Sequence, residues 1–204
     1  MGSLQSKIAI WNMALDHLKE APLSSTTDED AFCKWLQRNY DQTRDYVLGR
    51  YIWKFAQARA AIAAESAAPA FGWTKQFVMP SDMIRLIPLT LNGAWMGTPI
   101  AYELEGNANG DQVVLCNWDA GALNIRYIRR ITNEGKFTND FCEVLAIRLA
   151  RRMAHWATGK NSLVQTLDAM MKETMEEVKQ TEAFQTLGGQ YYDDDIASSR
   201  EQVF

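Results

Sequence analysis

The 204-residue sequence has little cysteine: Cys33, Cys116 and Cys142 are odd in number, far apart and form no CxxC pair. That spacing excludes a disulfide framework, argues against a zinc site, and points to reduced thiols in a protein made in a cytoplasm. Histidine is scarcer still, and neither His17 nor His155 stands at ligand spacing from a cysteine or a second histidine. An excess of positive charge is also missing. With 21 Lys and Arg against 25 Asp and Glu, the net charge of −4 argues against coating nucleic acid by bulk charge and leaves only local basic patches. No run approaches the ~18 apolar residues of a spanning helix, and the N-terminus lacks a basic stretch followed by an apolar core. A soluble, unprocessed product with no membrane partner is expected.

Catalytic signatures are absent too. The sequence has no GxSxG, HExxH or P-loop pattern, and the glycine-rich residues 106–110 lack the following Lys-Ser/Thr and helix that phosphate binding needs. Asp28, Glu29 and Asp30 are explained as acids at a helix N-terminus, and Asp193, Asp194 and Asp195 lack the spacing of a calcium loop. The expectation is a non-enzyme with no catalytic residues, no cofactor and no metal.

What is present is a change of period. From 4 to 19, Leu4, Ile8, Trp11, Leu15 and Leu18 recur at helical spacing, and Pro22 ends the run. Thr27 followed by three acids predicts a helix start, with Phe32, Leu36, Tyr40 and Val47 buried and Gly49 as the stop. Residues 71–89 then switch to alternation: Trp73, Phe77 and Met79 share one strand face, Pro80-Ser81-Asp82 turns a corner, and Ile84, Leu86 and Leu89 follow. Further strands are predicted at 52–62, 100–105, 113–116 and 122–131, spaced as in an antiparallel meander. The helical period returns at 138–156, with Phe141, Val144, Leu145, Leu149 and Met153 as the stripe and Gly159 as the stop. A last helix spans 161–187, before Gly188-Gly189.

The predicted fold class is α+β. An antiparallel four-helix bundle (residues 1–49 and 133–188) carries an inserted antiparallel β-meander (50–132), followed by an extended tail (189–204).

Two features ask for a partner. The first is a set of arginines, Arg148, Arg151 and Arg152 on one helix with Arg126, Arg129 and Arg130 just before it, suited to DNA phosphate or to another subunit. The second is the tail, where Tyr191, Tyr192, Ile196, Val203 and Phe204 stand among acids without periodicity. It is a segment expected to order on another chain through Tyr191, Tyr192, Asp193, Asp194, Asp195, Ile196 and Phe204. Seven tryptophans also suggest subunit interfaces.

In order along the chain, YIWKFAQARAAIAA, FGWTKQFVMPSDMIRLI, LNIRYIRRIT and FTNDFCEVLAIRLARRMA follow a short helical hairpin. This succession resembles the head-to-tail adaptor proteins of tailed bacteriophages, called tail tubular protein A in short-tailed phages, with relatives in gene transfer agents. The resemblance covers about residues 8–187. It implies a structural virion protein at the neck, made in the host cytoplasm. It also implies a ring, usually of twelve copies, that docks beneath the portal protein, meets a tail or nozzle protein below, and lets double-stranded DNA pass without sequence-specific binding. The competing expectation is an intracellular nucleic-acid-binding module that uses the arginine face, and a weaker one is an enzyme whose site has no recognisable motif.

Overall fold

The computed structural model describes residues 6–187 apart from 95–96, 108 and 160, with the backbone alone described for 182–187. The chain divides into two compact units, Met1–Thr43 with Glu134–Phe204, and Arg44–Asn133.

The first unit is helical. Ser6 caps α1 (Lys7–Leu18) by accepting the Ala9 amide at 3.2 Å, and Lys19 closes it in the left-handed region at φ 62°. The chain is then tied back by Asn12, whose side chain donates to the Leu23 carbonyl (3.0 Å) and accepts from its amide (2.8 Å). The acids before α2 (Ala31–Arg50) precede its first turn rather than forming it. Asp28 accepts the Ser24 and Ser25 amides, while Asp30 accepts those of Phe32 and Cys33. α3 (Asn139–Thr158) begins at Thr138, whose hydroxyl accepts the Phe141 amide, and ends at Gly159 with φ 64°. Besides the predicted stripe, Cys142, Ala146, Ile147, Ala150 and Ala154 of α3 are buried, because it packs on both α1 and α4 (Asn161–Leu187).

The second unit holds six strands: β1 (Gln57–Ile62), β2 (Lys75–Val78), β3 (Met83–Leu86), β4 (Glu103–Gly106), β5 (Gln112–Cys116) and β6 (Leu123–Arg129). They form two three-stranded antiparallel sheets, ordered β1-β6-β3 and β2-β5-β4. The corner at Pro80 therefore moves the chain from one sheet to the other, with the Met83 amide bonded to the Pro80 carbonyl at 2.9 Å. Phe77, Met79, Leu86, Leu89, Val114, Cys116, Leu123, Ile125 and Tyr127 make the core, with Trp73 packed against it. All four apolar residues of β5 are buried, as the central strand of a sheet demands.

The α+β class stands, but the predicted architecture is corrected. The helices are not a four-helix bundle: α3 is the hub between α1 and α4, and the division between the two units falls inside α2. Nor are the strands a meander, since only β4 and β5 are both consecutive and paired. Two local expectations fail for physical reasons. Trp53 and Phe55 flank a short 3-10 turn (Lys54–Ala56) instead of alternating in a strand, and Trp53 is buried with its indole N–H donating to the Val47 carbonyl (3.0 Å). Gly49 does not stop α2. A Cβ there would lie 3.2 Å from the Ile84 Cγ2, so the glycine permits close approach.

Candidate functional site

The six arginines singled out by sequence divide between the units, three on α3 and three on or just after β6. On α3, spacings of three and four residues put Arg148, Arg151 and Arg152 on neighbouring positions of one side. That side is not a bare cationic face. Arg151 grips Asp168 of α4 with both Nε and Nη2, the latter at 3.0 Å from Oδ2. The hydrogen bond from Arg151 holds the Asp168 carboxyl below its usual range, helped by the charges of Arg151 and Arg148. Arg152 donates to Asn39 (3.2 Å), Gln42 (3.3 Å) and the Thr43 hydroxyl of α2, and its guanidinium lies 5.7 Å from the Trp35 ring centre. Arg148 is half-buried.

In the β unit, Arg130 donates from Nε to Asp45 Oδ2 at 2.7 Å, and Asp45 also receives Arg44 at 2.8 Å. Arg126 donates from Nε to the Gly93 carbonyl at 2.7 Å. The half-buried Arg129 lies on the opposite face of β6 from Arg126 and Arg130, and its Nε has no partner among the described residues. Sequence reasoning missed Arg59, which stands directly across from Arg126 in the β1–β6 register. Only knowledge of that long-range pairing could have found it.

A cavity of about 360 Å³ in the helical unit is lined by Met13, Asp140, Cys142, Glu143, Glu177 and Val178 among others. Burial, with Glu134 and Glu143 nearby, pushes the Cys142 thiol up to about 12, so it stays protonated and unreactive at neutral pH. His17 Nε2 lies 3.6 Å from Glu143 Oε1. Among the described residues no group of three or more His, Cys, Asp or Glu side chains could hold a metal ion, and no helix is long and apolar enough to cross a membrane. The candidate tail residues Tyr191, Tyr192, Asp193, Asp194, Asp195, Ile196 and Phe204 lie outside the described residues.

No family model and no curated protein matches the chain. The local chemistry is therefore what separates the candidate surfaces. Arg151, Arg152 and Arg130 spend their donors on partners within their own units, whereas Phe71 is 87 % exposed and Trp156 is 53 % exposed even though it packs edge-on against Phe32. These two aromatic surfaces suit protein contact better than phosphate contact.

Proposed function

We propose that the chain is a structural assembly subunit, a head-to-tail adaptor that forms a ring between portal and tail of a tailed phage or gene transfer agent. The observation that carries this is the ordered succession of the four resembling segments. The segments at 51–64, 71–87, 123–132 and 137–154 take in β1, β2 with β3, β6, and most of α3, which are the elements that hold the two cores. Support also comes from the arginines. A phosphate-gripping module needs free guanidinium groups, and those of Arg151 and Arg152 are committed to Asp168 and to α2. In this role, the C-terminal residues 190–204 reach the portal or a neighbouring copy.

The full chain, mixed with portal-bearing heads and imaged, is expected to add a closed ring of copies at the neck, and a chain lacking residues 190–204 is expected not to attach. A single copy or a twofold dimer at the neck overturns the ring. No attachment of the full chain overturns the adaptor role itself.

A further inference from the structure

The outer face of the β1-β6-β3 sheet holds an arrangement that folding alone does not favour. Arg59 and Arg126 are direct cross-strand partners. Side chains so placed start about 4.5–5.5 Å apart at Cβ, and like charges there repel. Arg126 is half-buried and anchored through Nε to the Gly93 carbonyl. Arg59 is exposed and makes no hydrogen bond or ion pair among the described residues. Both border a cavity of about 310 Å³ whose other polar side chains are Asn92 and Asn124; no carboxylate is among the described residues that line it. Asn92 and Gly93 form the adjoining turn at φ 57° and 64°, which brings the Gly93 carbonyl to Arg126. Burial and the charge of Arg59 together lower the Arg126 guanidinium from its ordinary value, as expected where a cation lacks a counter-charge.

We propose that this cavity binds an oxyanion, a carboxylate or phosphate group, held between the Arg59 and Arg126 guanidinium groups with Asn92 and Asn124 as neutral donors. A guanidinium offers a planar fork of donors that matches two oxygens of such a group, and a bound anion turns the Arg59–Arg126 repulsion into a shared attraction. The site lies wholly within the β unit and does not depend on the adaptor role.

The test is a nitrogen-15 NMR titration of the full chain with inorganic phosphate, and separately with acetate, against sodium chloride at equal ionic strength. Saturable shifts of the Gly93 and Asn124 amides and the Arg126 Nε–H are expected. Arg59→Gln is expected to weaken the apparent affinity about tenfold, while Arg59→Lys loses less. Binding of phosphate alone assigns the site to phosphate groups, and binding of both anions extends it to carboxylates. Lys172→Gln removes the same charge from the exposed face of α4 and serves as the control. The proposal is overturned if neither anion differs from chloride, if Arg59→Gln binds like the parent, or if Lys172→Gln weakens binding as much.

Discussion

At the scale of single residues, an arginine's sequence neighbours say little about whether its charge is spent. Arg152 belongs to a triplet that looks like a cationic stripe, yet it bridges α3 to Asn39, Gln42 and Thr43 of α2 over the Trp35 ring. Arg152→Ala is therefore expected to cost about 1–3 kcal/mol of stability, since it strands polar groups that had a charged donor. Urea unfolding measures this, and an unchanged midpoint would show the bridge to be ornamental. Carboxylates supply a second check. Hydrogen bonds from Ser25 and Ser24 hold the Asp28 carboxyl below its usual range, and Arg151 does the same for Asp168. Groups with depressed folded values contribute stability above the unfolded carboxyl range, near pH 4, and that stability is lost as pH falls through the folded values. The melting temperature should therefore hold from pH 7 to about 5 and decline below 4, and Asp28→Asn should decline less steeply. An identical acid slope in parent and variant would mean that Asp28 carries no such linkage.

At the scale of elements, the limits of α3 could be read from the sequence because its signals are local. Thr138 caps it, Gly159 stops it in the left-handed region, and the Phe141, Leu145, Leu149 and Met153 stripe lies inward. The alternation that joins Trp73, Phe77 and Met79 is equally local, and all three face one core. What a stripe meets is another matter. Helical periodicity marks a buried side without naming its partner, so four stripes suggested a bundle where α3 is the hub for α1 and α4. Strand pairing was hidden for the same reason: β1 with β6 joins Gln57 to Ile128 across the whole unit, and no nearby residue announces it. The Arg59–Arg126 cavity inherits that invisibility. β4 does carry a local clue, for its exposed Glu103 and Glu105 discourage pairing at a sheet edge, and Glu103 also accepts the Trp73 indole at 3.1 Å. The hub position of α3 has a measurable consequence. Leu145→Ala, at a fully buried site, is expected to cost about 2–5 kcal/mol. Met170→Ala, on the half-buried side of α4, should cost clearly less. Equal losses would mean that α3 is not the centre of the helical unit.

At the scale of the whole molecule, the balance of charge decides how the protein meets DNA. Copies of net charge −4 around a conduit present a mainly repulsive field to a passing polyanion, which suits a channel that must not hold its cargo. A clamp using all six arginines from Arg126 to Arg152 would release counterions with a slope of about −5 in log affinity against log salt. With Arg151 and Arg152 tied to Asp168 and α2, and Arg130 to Asp45, far fewer phosphates can be neutralised without breaking internal bonds. Binding of the free chain to duplex DNA is therefore expected to be no tighter than about micromolar near physiological salt, with a slope shallower than about −2. Fluorescence anisotropy over a salt series gives both quantities. A nanomolar affinity with a steep slope, lost together in Arg151→Gln and Arg148→Gln, would transfer the chain to the nucleic-acid-binding class. Weak, shallow binding that those substitutions leave unchanged would fit a conduit wall whose arginines serve the fold.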